Sequence, residues 1–215
     1  LLGGCATKEE AAAPNALVAA KVATAPTLDG NANDPAWASA KPITVALEEG
    51  ANFGGTGKTT ATLKAVYSGD MVYFLVQYND PTESMRRGPY QKQADGSWKK
   101  LKDPADKGGD DNVYYEDKWA MIWNINNSIG RFDQKGCAVA CHEGESPKPY
   151  GNKYSSKEGE LGDMWHMKGM RTAPLGKVDD QYLDNTRFDA KTAPGAGRKS
   201  DPGGPEYAAF NLVNG

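Results

Sequence analysis

From Gln134 to about Gly204 the sequence carries almost no regular hydrophobic periodicity. A stretch of roughly seventy residues without elements of its own is uncommon in a compact domain, and it needs something else to pack against. The chain before it is different in kind. Thr60 to Tyr67 alternates in the manner of a strand, Gly69-Asp70 marks a turn, and Met71 to Tyr78 is a β-branched and aromatic run. Together they predict a hairpin, ended by Asn79-Asp80-Pro81. Lys118 to Ile125 predicts a further strand, apolar enough to suggest burial on both faces, and Glu206 to Val213 a last one. Lys92 to Asp111 reads as a loop, and Leu28 to Trp37 is dense in turn residues and ends in an aromatic. With 25 Gly, 13 Pro and no good amphipathic helix, the expected fold is mainly β. A β-sandwich with long functional loops fits best.

The 25 Lys and Arg against 28 Asp and Glu leave no basic footprint, so no nucleic-acid partner is expected. No run of apolar residues is long enough to span a membrane as a helix. Gly54-Gly55-Thr56-Gly57-Lys58-Thr59 imitates a phosphate-binding loop, but Asn52 stands where the first glycine belongs. The loop also leads into a predicted strand rather than the helix whose N–H groups would hold phosphate.

Leu1-Leu2-Gly3-Gly4-Cys5 resembles the end of a bacterial lipoprotein signal peptide. That likeness implies that Cys5 is lipidated, with an ordinary thiol as the alternative. Residues 1–25 then form the lipoprotein N-terminus and an Ala-, Lys- and Glu-rich tether, and 26–215 the folded domain. The implied location is the periplasm or cell surface, held to the membrane by the lipid alone. Ala6 in place of Asp favours the outer membrane.

Inside the aperiodic stretch lies Gly136-Cys137-Ala138-Val139-Ala140-Cys141-His142. Two cysteines followed at once by histidine is the arrangement of covalent haem attachment. Each thiol, from Cys137 and Cys141, adds to one vinyl group, and His142 reaches the iron as proximal ligand. Small residues between the cysteines let the backbone pass close to the porphyrin edge. The spacer here has three residues, one more than the common form. A Cys137–Cys141 disulfide leaves His142 unexplained, and a zinc site lacks a fourth ligand. One covalent haem c is the expected cofactor. The three cysteines then divide into one lipid anchor and one haem clamp.

The sixth iron ligand has several candidates. Asp163 to Arg171 holds the only other histidine, His166, with Met164, Met167, Met170 and Lys168. His166 follows the haem motif by 24 residues, in what reads as an irregular loop, beside aromatic and thioether side chains suited to a porphyrin. It is the expected distal ligand, with Met85 or Met167 as alternatives and Met164, Met170, Lys168 or an open site behind them. Trp165 is expected to pack on the haem, and Arg171 and Lys168 either pair with its propionates or are solvated surface cations. Asp110-Asp111 and Asp179-Asp180 lack a full calcium ligand set and read as solvated loop carboxylates.

Three stretches resemble a known family. They are Asp29-Gly30 through Asp34-Pro35-Ala36-Trp37, Tyr78 through Met85, and Asp163 through Arg171 with Gly176 and Asp179-Asp180-Gln181-Tyr182. The chain is similar to the haem-binding gamma-subunit domain of ethylbenzene dehydrogenase and related molybdenum enzymes of the dimethyl sulfoxide reductase family. Its first stretch is shared with family-nine carbohydrate-binding modules. The resemblance implies a carbohydrate-binding-module-like β-sandwich with long haem-binding loops, and an electron-carrying role. The family subunit holds non-covalent haem b through a methionine and a late lysine. The Cys137, Cys141 and His142 motif points instead to a c-type cytochrome branch, so that ligation is not carried over, although Met85 lies near the family's ligand methionine. The family domain usually runs longer, so last strands beyond Gly215 are expected.

The expected function is that of a lipid-anchored monohaem c-type cytochrome passing single electrons between redox partners, such as other cytochromes or a molybdenum oxidoreductase. It is not expected to be an enzyme itself. Two other classes stay open. A carbohydrate-binding module would stack sugars on Trp37, Trp98 or tyrosines, and a haem sensor or enzyme would keep an open sixth iron site.

Overall fold

A computed structural model of the chain describes residues 16–48, 57–106, 113–142 and 152–208, with the backbone alone at 141, 142 and 152. Cys5, most of the tether and Asp110-Asp111 lie outside the described residues. The described chain is mainly β and divides between Thr82 and Glu83 into two compact units. No described helix is long and apolar enough to cross a membrane.

The first unit is built on the predicted hairpin. Its strands are β1 (Ala20–Lys21), β2 (Ile43–Leu47), β3 (Thr59–Ser68) and β4 (Met71–Tyr78). β3 pairs antiparallel with β4 from Ala61↔Tyr78 to Ser68↔Met71, which fixes a two-residue turn at Gly69-Asp70. Gly69 has φ +57°, the left-handed value such a turn requires and glycine adopts freely. Since β4 occupies one edge of β3, the other edge is shared. β2 pairs along Thr59–Leu63, and β1 runs parallel beside Val66 and Tyr67.

The turn-rich segment ends in a short 3₁₀ helix, Pro35–Ser39. Asp34 caps it by accepting from Ala36 N at 2.9 Å, and Pro35 sits where a missing N–H costs nothing. Asp34 also accepts from Thr27 N at 3.0 Å. The helix drives Trp37 into the core with Ala40, Val66 and Leu75. Trp37 is therefore buried and unavailable for stacking on a sugar, which corrects that part of the binding-module expectation.

The second unit begins with β5 (Tyr90–Lys92) and β6 (Trp98–Lys100), a small hairpin whose second strand falls inside the predicted loop. There follow β7 (Lys118–Asn124), β8 (Cys141–His142), β9 (Asn152–Lys153), β10 (Gly162–Lys168), β11 (Asp179–Leu183) and β12 (Arg198–Ser200). β7 stands where the sequence placed a strand, but its residues are half-buried or exposed rather than covered on both faces. Its neighbours form one antiparallel sheet in the order β12-β11-β10-β7.

This sheet overturns the reading of 134–204 as irregular. β10 shows strict alternation of burial, with Gly162, Met164, His166 and Lys168 buried and Asp163, Trp165 and Met167 half-buried between them. The period is that of a strand, but the buried side carries glycine, histidine and lysine, so hydropathy conceals it. Gly162 is needed for packing, since a Cβ there would press on Ile122 and Ile129. The last predicted strand is not formed at its described end, 206–208, where Ala208 N nevertheless donates to Arg171 O at 2.7 Å, and 209–213 lie outside the described residues.

Glu160 fastens the loops beside this sheet. Its carboxylate accepts from the backbone N–H of Ser156 at 2.7 Å, Lys157 at 2.9 Å and Gly130 at 3.3 Å. Burial works to raise its pKa, but the N–H donors of Lys157, Gly130 and Ser156 outweigh it and hold the carboxyl below the usual glutamate value. The stability it contributes is present above the unfolded pKa and is lost as pH falls through the folded one. Glu160→Ala is expected to destabilise the protein by about 2–3 kcal/mol near neutral pH, read by chemical denaturation. Wild type and variant should converge in acid, and an equal gap at all pH values would show that the carboxylate charge is irrelevant.

Candidate functional site

Directly opposed residues of antiparallel strands point to the same side of a sheet. The pairs His166↔Ala120, His166↔Asp179, Lys168↔Lys118, Met164↔Gln181 and Leu183↔Arg198 therefore put His166, Met164, Lys168, Lys118, Gln181 and Arg198 on one face. That face floors a cavity of about 640 Å³. The size falls in the range of about 300–1,000 Å³ typical of small-molecule and cofactor sites. Eight lysines and arginines line it, against the single carboxylate of Asp106. The chain as a whole is slightly acidic, so the cationic excess is local.

Three of these cations have carboxylate partners behind the lining. Glu116, whose side chain is fully buried, accepts from Arg171 Nε at 2.6 Å and from Met170 N at 2.8 Å, with Arg87 Nε at 3.6 Å. Lys168 forms a buried ion pair with Asp179. Tyr207 Oη accepts from Lys168 Nζ at 2.9 Å and donates to Asp179 Oδ2 at 3.0 Å. Asp179 is thus a buried counter-ion, which corrects its reading as a solvated loop carboxylate. Lys118 and Arg198, by contrast, form no ion pair among the described residues. Desolvation by its surroundings lowers the Lys118 pKa to about 8; Glu116 opposes this, and Arg171, Arg198 and Lys153 add to it. Its ammonium also lies 4.1 Å from the centre of the Tyr115 ring.

His166 sits in the middle of this floor on β10, a central strand, and not in the loop the sequence suggested. Burial, with the positive charges of Lys168, Arg198 and Lys118, pushes its pKa down to about 4 against its hydrogen bond to Gln181. The imidazole is neutral at pH 7. Nδ1 lies 3.2 Å from Gln181 Oε1, an acceptor, so Nδ1 carries the proton and Nε2 keeps its lone pair. Metal-ligating histidines are commonly oriented by such a second hydrogen bond, which fixes the tautomer.

The other predicted site residues divide by face. Trp165 and Met167 alternate with His166 and point to the opposite side of the sheet. There Trp165 packs on Trp123, ring centroids 5.2 Å apart and tilted by 60°, and donates Nε1–H to Asp163 at 3.2 Å. Met85 is exposed and outside the cavity lining, whereas Met164 lines it beside His166.

The Cys137–His142 segment reaches the same sheet. Gly136, at φ +55°, ends the one-turn helix Phe132–Lys135, and Gly136–Ala140 continues as a 3₁₀ turn with Cys137 exposed. Ala140 is buried in one cluster with Met164 and Leu183. The next residue enters β8, where Cys141 pairs with Lys153 and His142 with Asn152. Lys153 lines the cavity. The end of the motif is therefore anchored to the cavity floor on one side and to its wall on the other.

Among the described residues no group of three or more His, Cys, Asp or Glu side chains is placed to hold a metal ion. The site instead offers a neutral imidazole, a bulky cavity and anion-seeking cations. Lys118, Lys153, Gln181 and Arg198 were not singled out by sequence, because each is an ordinary polar residue until the strand register brings them together. Comparison with known proteins gives one family, described as ethylbenzene dehydrogenase, whose profile matches residues 34–210. No curated protein and no solved structure matches the chain.

Proposed function

The chain belongs to the ethylbenzene dehydrogenase family, and we propose that within it this chain is a one-electron carrier holding a single haem c between His142 and His166. The observation that carries the reading is that His166 and the end of the Cys137–His142 segment meet at one sheet face, with Cys137 itself outside the cavity lining. His166 presents a neutral, oriented imidazole to the cavity, and the Cys137–His142 segment is docked on its floor through Ala140 and on its wall through the Cys141↔Lys153 pair. The residues present fit the group. The cavity has the size for a cofactor, one side of the floor supplies a ligand nitrogen, and the lining is cationic where haem carboxylates require it.

Held by His142, His166, Cys137 and Cys141, the group would supply one-electron redox chemistry between a donor and an acceptor. The chain's own residues do the rest. Cys137 and Cys141 fix the porphyrin edge covalently, while Gln181 holds His166 in the tautomer that leaves Nε2 available. With both His142 and His166 holding the group, no place would be left on it for substrate, which would suit a carrier working beside an oxidoreductase. Redox proteins, including a molybdenum enzyme, are the proposed partners. Lipidation at Cys5 would hold the carrier to a membrane face outside the cytoplasm.

The test is the full chain expressed with a haem-attachment system. Wild type should give the pyridine haemochrome of thioether-bound haem at one equivalent per chain. The Cys137→Ala, Cys141→Ala double variant should lose all haem on acid–acetone extraction. Haem that stays attached in the double variant, or none in wild type, contradicts the assignment.

A further inference from the structure

The cations nearest the centre of the cavity floor differ in whether they are already occupied. Lys168 and Arg171, the sequence-based choices for holding carboxylates, are neutralised within the fold by Asp179 and Glu116. Among the described residues, Arg198 and Lys118 have no such partner. Arg198 is held in place by its neighbour. Gly197 N donates to Lys153 O at 2.8 Å, and Asp184 N to Gly197 O at 3.0 Å. A Cβ at Gly197 would collide with the Asp184 carbonyl and the Tyr154 backbone, so only glycine lets the strands approach this closely. The same bond brings the start of β12 beside β9, and with it Arg198 beside Lys153. Lys118, on β7 at the far side of the same sheet face, completes the set. Three cations from three strands thus look into one cavity whose lining contains one acid. Lys118 is exposed and Lys153 and Arg198 are half-buried, so the charges of Lys118 and Arg198 stay accessible to an anionic ligand in the cavity.

We propose that Lys118, Lys153 and Arg198 form a carboxylate-binding subsite beside His166, and that in the loaded protein it receives the two propionates of haem. The second half of this statement rests on the haem reading above; the first does not. Arg198 provides the planar fork that takes a carboxylate through two parallel N–H bonds, and the lysines add mobile charge. The occupied pairs, Arg171–Glu116 and Lys168–Asp179, have the structural task of holding the floor together.

The experiment uses the full chain carrying Cys137→Ala and Cys141→Ala, purified without haem and titrated with haemin, with haemin dimethyl ester and with citrate. Haemin should bind about tenfold or more tighter than its ester, which lacks the charged propionates. Adding Arg198→Gln with Lys118→Gln should remove that preference, and Arg198→Lys should restore part of it. Equal binding of haemin and ester overturns the subsite and leaves the haem reading standing. Failure of both porphyrins with tight, Arg198-dependent citrate binding keeps the subsite, assigns it to a free polycarboxylate and overturns the haem reading. Binding that ignores Arg198 and Lys118, or no binding at all, overturns the subsite. Circular dichroism melts show whether each variant is folded. In the covalent holoprotein, Arg198→Gln should lower the midpoint potential, because an uncompensated propionate favours ferric iron, and an unchanged potential counts against the proposal.

Discussion

Replacing His166 with alanine is expected to turn an inert low-spin haem into one that is high-spin and binds carbon monoxide when reduced. In the proposed carrier the wild-type side chain would be ready for ligation before any iron arrived. Its pKa of about 4 leaves it neutral throughout the physiological range, so no proton has to be displaced. Its Nδ1 proton is directed at Gln181 Oε1, which fixes Nε2 as the donor atom. Alanine removes the ligand and leaves a void on a buried floor, so water or a diatomic ligand gains access. Met164 is the neighbour on the same face that is able to substitute. If it does, the spectrum stays low-spin but the potential rises, a methionine in place of histidine shifting it by part of the ~0.8 V span that axial ligands command. Met167 and Trp165 lie on the other face, so Met167→Ala should leave the spectrum unchanged. An unchanged bis-histidine spectrum in His166→Ala rejects the ligand assignment outright.

Glu116→Ala is expected to be the most damaging single change to the fold. Glu116 is the counter-ion for Arg171, the more distant partner of Arg87 and the acceptor for Met170 N. Its removal leaves Arg171 buried and uncompensated in a lining already rich in positive charge. Breaking a buried pair by deleting one partner costs about 3–5 kcal/mol. For a chain of this size that corresponds to a fall in Tm of roughly 10 °C. Glu116→Gln keeps the shape and one acceptor oxygen, and should lie between alanine and wild type. Thermal melts of the three proteins check this order, and a loss below about 1 kcal/mol for alanine would mean that water already screens the pair.

The hairpin of β3 and β4 was legible in the sequence because its alternation, its β-branched residues and its Gly69-Asp70 turn all point the same way. β7 was legible as a strand but not in its burial. The sheet it belongs to was concealed. β10 buries Gly162, Met164, His166 and Lys168, and a histidine and a lysine on the inward side erase the hydrophobic signal. What makes that burial tolerable is Asp179, eleven residues further along and opposite in the ladder, and a partner at that separation is visible only once the strands are paired. The same holds for the site. Cys137, Cys141, His142 and His166 are proposed on residue type and spacing. Arg198 and Lys118 gain meaning only from register, and Arg171 and Lys168 change from expected ligand contacts to structural ion pairs.

Axial ligation of the iron is what this account most depends on, and it is read most directly from the optical and electron paramagnetic resonance spectra of the purified full chain in both oxidation states, with carbon monoxide added to the reduced form. The full chain is expected to carry one thioether-linked haem, low-spin in both states, with the signature of two histidine ligands and no carbon monoxide adduct. A haem-free protein, a methionine-to-iron charge-transfer band or ready carbon monoxide binding contradicts it.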